Sequence, residues 1–98
     1  PNYRGYDYIV LAIQLSFENP ARLQYVTKEL YPVIGKEYHT DWRAVEHSIR
    51  ITILRSWESD PTRFEKFLGI WKKEKPSAGK FLAALYAYLL IEFEEEAI

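Results

Sequence analysis

Between residues 41 and 58, apolar side chains recur at every third or fourth position, and this periodicity constrains the fold more than any other feature of the chain. At the 100° per residue of an α-helix these side chains fall on one face. The opposite face is polar near the start of the segment. The pattern therefore predicts a long amphipathic helix with a mainly apolar buried face of Trp42, Val45, Ile49, Thr52, Ile53, Ser56 and Trp57.

Prolines and capping residues divide the chain into further helices. Asn19 followed by a proline is typical of a helix start, because proline at the first helical position loses no hydrogen bond. Tyr31 precedes another proline and should leave helical geometry, which predicts a break there. Thr40 and Ser77 are candidate N-caps of the long helix and of the last helix. No segment shows the period-two alternation of a strand, so we predict an all-α fold with no sheet. About six helices are expected, at residues 6–17, 20–30, 32–38, 41–58, 61–68 and from 78 onward.

The first and last helices differ in pattern. In the first helix, the apolar residues Ile9, Val10, Ile13 and Phe17 recur at helical spacing. The last helix is apolar on nearly every side over residues 81–91, which implies burial on several sides. Two interpretations stay open: a central core helix, or an interface with a second copy or a further domain. Residues 92–96 hold four glutamates, which are unfavourable at a helix C-terminus, so this end should fray and point away from any polyanion that the chain binds.

A short helix, a tight turn and a longer amphipathic helix form a candidate helix-turn-helix. In such a motif the first helix braces the second, whose N-terminal outer face enters the major groove. The candidate base-contacting residues on that face are Arg43, Glu46, His47 and Arg50. Two alternatives apply to Glu46, which could accept from a cytosine amino group or orient Arg50. The alternative role of Arg50 is a surface ion pair with Glu46.

The charge of the chain is unevenly distributed. The formal net charge is −1, but without the four glutamates of residues 92–96 the remainder carries 13 positive and 10 negative groups. Residues 63–80 hold six positive groups against two glutamates. A basic segment of this kind can bind phosphates, although a solvated surface is the alternative. The candidate phosphate contacts are Lys36, Thr40, Lys72, Lys73, Lys75, Ser77 and Lys80.

Other classes of function find little support in the sequence. There is no cysteine, and His39 and His47 alone are a poor start for a zinc site, so we expect no metal and no cofactor. No nucleophile triad or glycine-rich phosphate loop is present, so we expect no enzyme. The longest apolar run, residues 81–91, is too short to span a bilayer, and no signal peptide opens the chain. We therefore expect a cytoplasmic protein without membrane contact.

Several motifs, in order along almost the whole chain, carry a resemblance to a known family. They are Gly5-Tyr6-Asp7-Tyr8, Thr27-Lys28-Glu29-Leu30-Tyr31-Pro32-Val33-Ile34, Thr40, Val45-Glu46-His47-Ser48-Ile49-Arg50, Trp57 and Lys75-Pro76-Ser77-Ala78-Gly79-Lys80-Phe81. With these motifs the chain resembles the C-terminal DNA-binding effector domain of the sporulation initiation response regulator family of spore-forming bacteria.

The resemblance implies a six-helix fold with a helix-turn-helix that binds promoter DNA, often as two domains in tandem. It also implies a two-component system, with a phosphoacceptor receiver domain N-terminal to the effector domain. Two base-contacting arginines of the family fall on Ala44 and His47 of this sequence, whereas Glu46 and Arg50 match the family pattern. Since alanine cannot form a bidentate pair with guanine, the base preference is expected to differ or to be relaxed.

These observations lead to two hypotheses. The first is a transcription factor domain spanning residues 1–98 that binds duplex promoter DNA. The chain has no methionine even at position 1, so we expect it to be part of a longer response regulator. The alternative is a protein-interaction domain of helix-turn-helix ancestry that has lost specific DNA binding. It would use Ile51, Leu54 and the last helix as an apolar surface, and the near-neutral charge and Ala44 support it.

Overall fold

The computed structural model describes residues 4–60, 62 and 77–97, and nearly all of these residues are helical. No strand occurs within the described ranges, which confirms the prediction of an all-α fold without a sheet. The α-helices are α1 (Arg4–Glu18), α2 (Tyr31–Glu37), α3 (Trp42–Ser59) and α4 (Ala78–Ala97). A 3₁₀ segment (Pro20–Gln24) and a π-helical segment (Val26–Leu30) lie between α1 and α2.

The predicted count of six helices is therefore wrong for the described residues, which contain four α-helices. One reason is the helix predicted for residues 20–30. Asn19 caps its start as expected, with its side chain accepting from the Ala21 N–H. The chain then leaves helical geometry at Tyr25, where φ is −139° and ψ is 59°. The helix predicted for residues 61–68 and the basic connector after it lie outside the described residues, apart from Thr62.

The break predicted at Tyr31 is also wrong. Tyr31 has helical dihedral angles and begins α2, and its N–H donates to the Val26 carbonyl in π-helical fashion. The proline after it lies in the first helical turn, where a missing N–H is tolerated. Leu30 and Tyr31 are almost completely buried. Burial of these two large side chains outweighs the local preference against helical geometry before proline.

The core forms where α1, α2, α3 and the start of α4 meet. On α3, Val45, Ile49 and Ile53 are buried as predicted, while Trp42 and Trp57 are only partly buried against the core. Among the residues that the structure describes, the buried hydrophobic residues are Tyr8, Ile9, Ala12, Ile13, Leu15, Leu30, Tyr31, Ile34, Val45, Ile49, Ile53, Phe81 and Leu82. This core fixes one side of α3 and leaves the other side facing outward.

Two predicted core residues of α1 are exposed. Val10 is 56% exposed, because Tyr8, Ala12 and Leu15 rather than Val10 face the core with Ile9 and Ile13. Phe17 lies at the edge of the domain, where its ring is 5.0 Å from the ring of Tyr86. The buried face of α1 is thus rotated relative to the face that the apolar pattern predicted.

The last helix is buried chiefly at its start. Ser77 caps it as predicted, with its hydroxyl accepting from the Lys80 N–H at 3.3 Å. Phe81 and Leu82 are buried, residues such as Leu85 and Leu89 are partly buried, and Ile91 and Phe93 are 55% and 52% exposed. The helix continues through the glutamates to Ala97, so the fraying expected there is not observed. The interpretation of α4 as a central core helix holds only for its first turns.

Candidate nucleic-acid interface

A four-residue connection, residues 38–41, joins α2 to α3. The Thr40 N–H donates to the Gly35 carbonyl at 2.8 Å, and the His39 N–H donates to the Lys36 carbonyl at 3.4 Å. These two bonds are those of a Schellman motif, which satisfies the last carbonyl groups of α2. His39 adopts the left-handed conformation that the motif requires, with a φ of 56°. The turn is thus held by main-chain hydrogen bonds.

Gly35 allows the close approach between α2 and the start of α3. A Cβ atom at this position would lie 2.6 Å from the Thr40 carbonyl oxygen and 3.4 Å from the Asp41 carbonyl carbon. Real Cβ atoms do not approach backbone oxygen so closely, so a side chain at position 35 would force the turn to open. Gly35 was not among the predicted site residues, although a glycine just before a short interhelical turn is a recognisable signal.

The start of α3 is capped by Asp41. Its carboxylate accepts from the Arg43 N–H at 2.6 Å, and its extended backbone is typical of an N-cap. The prediction of Thr40 as the N-cap is therefore wrong by one residue. Thr40 uses its backbone to close the Schellman motif instead. A carboxylate at this end also interacts favourably with the helix dipole.

Behind α3, the first helix packs at very short range. A Cβ atom at Gly5 of α1 would overlap the Thr52 hydroxyl and lie 2.6 Å from the Ser48 carbonyl oxygen. Beside this contact is a cleft of about 170 Å³, lined by Gly5, His47, Ser48, Ile51, Thr52 and Arg55. Arg55 is exposed on α3 two turns after His47, and it was not among the predicted site residues. The spacing of eight residues between His47 and Arg55 could have indicated from the sequence that both lie on one side of the helix.

The outward side of α3 brings the predicted base-contacting residues together. Arg43, His47 and Arg50 are exposed, and Glu46 is partly exposed. Their spacing of three, four and seven residues places them along one side of two helical turns. The Arg43 guanidinium lies over the Trp42 ring, 5.3 Å from its centroid. Ala44 is exposed beside them.

Arg50 contacts both of its polar neighbours on the helix. Its Nη1 donates to Glu46 Oε1 at 3.4 Å, and its Nη2 lies 3.3 Å from His47 Nδ1. The Arg50 and Glu46 side chains are 50% and 34% exposed, so this ion pair contributes little to the stability of the fold. The surface is therefore polar, accessible and weakly held.

Tyr31 of α2 lies in the electrostatic field of this pair. The pKa of Tyr31 is raised to about 12, chiefly by burial and then by the Glu46 carboxylate, while the Arg50 guanidinium opposes the rise. The two charges that influence Tyr31 are thus residues of the outward face of α3. Tyr31 therefore couples α2 electrostatically to the outward face of α3. The sequence pattern did not reveal this role.

The predicted phosphate-contacting residues lie on two parts of the fold. Lys36, exposed in the last turn of α2, and the partly buried Thr40 in the turn adjoin the start of α3. Ser77 and Lys80 are exposed at the start of α4. Lys72, Lys73 and Lys75 lie outside the described residues.

Among residues 4–60, 62 and 77–97, no three His, Cys, Asp or Glu side chains are placed to hold a metal ion. In the same ranges, no helix is both long enough and apolar enough to cross a membrane.

Comparison with protein families gives one match that spans most of the chain. The model of the family described as Sporulation initiation factor Spo0A C terminal matches residues 1–89 of the 98 residues. The match includes α1, α2, α3 and the first half of α4. This family is one of DNA-binding regulator domains and is not a known enzyme family. The chain therefore belongs to the family of the C-terminal domain of the sporulation initiation factor Spo0A, the DNA-binding effector domain of a sporulation regulator.

Proposed function

We propose that this domain binds duplex DNA sequence-specifically, with α2 and α3 acting as a helix-turn-helix and the start of α3 entering the major groove. The observation that carries the proposal is the division of α3 into two sides. Val45 and Ile49 are completely buried, while Arg43, His47 and Arg50 are exposed on the other side. A helix held in this way can enter the major groove without any rearrangement of the core.

In this proposal the residues have distinct roles. Arg43 and Arg50 extend towards base edges or phosphates, and Glu46 and His47 lie between them on the same side of α3. Lys36 and Thr40 approach the phosphates beside the start of α3, and Ser77 and Lys80 do so from the start of α4. The sequence adds Lys72, Lys73 and Lys75 as further phosphate contacts.

The base preference should differ from that of family members with arginine at positions 44 and 47. Ala44 has no donor, so a bidentate contact to guanine is absent at its position. Arg43 is rotated by about 100° from Ala44 around the helix, so it does not simply replace the missing group. Arg50 is then the main residue able to form a bidentate contact.

The family supports a wider setting for this activity. We infer a single effector domain within a longer cytoplasmic response regulator of a two-component system, preceded by a receiver domain. On promoter DNA, two copies would lie in tandem.

The test is a duplex titration with two arginine variants. Sequences selected from a random duplex pool and the unselected pool are titrated at two salt concentrations. Arg50→Ala should weaken binding to the selected duplex by about tenfold or more and binding to the pool much less, since a bidentate base contact contributes about 1–3 kcal/mol. Arg55→Ala, the same change farther along α3, should affect both duplexes slightly and equally.

Salt dependence distinguishes DNA binding from the alternative function. For the wild-type domain, the logarithm of the affinity should fall linearly with the logarithm of the salt concentration, by about 0.9 per phosphate contacted. The exposed Ala44, Ile91 and Phe93 favour the alternative, a protein-interaction domain without specific DNA binding. Undetectable binding to either duplex at low salt would support that alternative and overturn our proposal.

A further inference from the structure

Arg50 and His47 form a side-chain contact on the outward face of α3 that only one form of the imidazole can make. Arg50 Nη2 and His47 Nδ1 are 3.3 Å apart. An arginine side chain has only donors and keeps its charge, so Nη2 must donate and Nδ1 must accept. His47 is therefore neutral in this arrangement, with its proton on Nε2. Arg50 is held on one side by the Glu46 carboxylate and on the other by an imidazole that serves as an acceptor.

From this geometry we propose that His47 is a positioning residue for Arg50, and that it determines the base preference of α3 through Arg50 rather than by its own contact with a base. The inference rests on the proposed DNA-binding function. An arginine or lysine at position 47 has no acceptor and would repel Arg50 three residues later. Only a neutral acceptor at this position allows the guanidinium to lie across the helix between Glu46 and residue 47.

Protonation of His47 should abolish this arrangement. An imidazolium donates from both nitrogens and cannot accept from Arg50. The charged groups near His47 on α3 are Arg43 one turn before it, Glu46 beside it, and Arg55, which lines the same cleft two turns after it. On α1 the cleft wall is Gly5, next to Arg4, and no residue of α2 lines the cleft. As the pH falls, Arg50 should lose its fixed position while the domain gains positive charge.

The decisive experiment compares three substitutions at position 47. His47→Asn places an uncharged acceptor close to the position of Nδ1, whereas His47→Leu has similar bulk and no acceptor. His47→Arg adds charge and also has no acceptor. Each variant is incubated with a duplex pool carrying a randomised central segment, and the bound fraction is sequenced at about pH 8 and about pH 5. The measured quantity is the preference at the base pair whose selection disappears in Arg50→Ala.

For the wild type, we expect that preference to fall about threefold between the higher and the lower pH, in line with an exposed charged hydrogen bond. Total affinity for unselected duplex should rise over the same interval, because the domain becomes more positive. His47→Asn should keep the preference at both pH values. His47→Leu and His47→Arg should lose it at both. If His47→Asn loses as much as His47→Leu, His47 contacts the base itself and the proposal is wrong.

A measurement without DNA separates this inference from the proposed function. The ¹⁵N resonances of the His47 imidazole in the free domain at about pH 8 should show a protonated Nε2 and an unprotonated Nδ1. In Arg50→Ala, the Nδ1 resonance should shift because its donor is lost, and in Arg55→Ala it should not. Equal populations of the two tautomers, unchanged by Arg50→Ala, would overturn the positioning role even if the domain binds DNA. Failure to bind DNA would leave this result unaffected.

Discussion

At the start of α3, two exposed arginines and a histidine lie above completely buried aliphatic side chains. At the end of α4, four exposed glutamates surround side chains such as Phe93 and Ile91, which are about half exposed. The first region is anchored by the core and cationic outside, whereas the second is loosely packed and acidic. The net charge of −1 is the balance of the whole chain, and it conceals this difference in charge between the two regions.

The largest expected effect is a difference in the free energy of unfolding between substitutions of two isoleucines, one in each region. Ile49 of α3 is fully buried and Ile91 of α4 is 55% exposed. Ile49→Ala should lower the free energy of unfolding by about 2–5 kcal/mol, because it leaves a cavity in the core. Ile91→Ala should change it by less than about 0.5 kcal/mol. Urea denaturation measures both, and comparable losses would show that the end of α4 is packed as tightly as α3.

Alkaline pH should weaken the contact between α2 and α3 through Tyr31. Its pKa is about 12 in the fold, against about 10 in an unfolded chain, because burial disfavours the phenolate. This contribution to stability is complete below pH 10 and disappears as the pH rises through 12, a loss of about 3 kcal/mol. Between pH 10 and pH 12, the free energy of unfolding should depend less on pH in Tyr31→Phe than in the wild type. In Tyr25→Phe, where the residue is 62% exposed, the pH dependence should match the wild type.

A glycine pair tests the turn that presents α3. Gly35→Ala should destabilise the domain by about 1–3 kcal/mol, because the new Cβ would meet the Thr40 carbonyl oxygen. It should also weaken DNA binding, because the same contact would disturb the turn before α3. In Gly79→Ala, at the start of α4, the new Cβ would lie 3.6 Å from the Val26 side chain, an ordinary van der Waals contact. The stability of the domain should therefore be unchanged or slightly raised. Thermal unfolding of both variants measures the difference. Equal stability of the two would mean that the turn is not tightly constrained.

The smallest expected effect concerns the acidic end. Replacing Glu92, Glu94, Glu95 and Glu96 together by glutamine should change duplex affinity by less than about threefold at physiological salt, since charges beyond about 8 Å are largely screened. The single change Glu46→Gln, on the outward face of α3, should raise the affinity for unselected duplex more than the four replacements at the end of α4 together. The opposite ranking would place the end of α4 beside the DNA.

The periodicity of α3 was sufficient to predict the side on which Val45, Ile49 and Ile53 are buried, because one long helix repeats the same pattern over many turns. The break before α2 was misplaced because it depends on tertiary packing. Leu30 and Tyr31 gain more from burial than the proline after them costs, and the chain breaks at Tyr25 instead. Val10 was assigned to the core because α1 is apolar on more than one side, so periodicity alone does not fix its rotation.

The candidate site was predictable as a set of residues on one helix face, and less so in its interactions. Spacing placed Arg43, His47 and Arg50 on one side of α3. It left open whether Arg50 would pair with Glu46, and it gave no indication that His47 also contacts Arg50. Such contacts depend on side-chain rotamers at an exposed surface, which helix periodicity does not determine. Asp41 was overlooked as the N-cap because Thr40, its neighbour, has the same preference for that position.

The central claim is that the outward start of α3 is the DNA-binding surface. The most direct measurement is the change in backbone amide NMR resonances when the domain is titrated with a selected duplex. We predict the largest changes from Lys36 through Arg50 and smaller changes at Ser77 and Lys80, with residues 92–96 unaffected. Changes confined to the end of α4, with α3 unperturbed, would contradict the account.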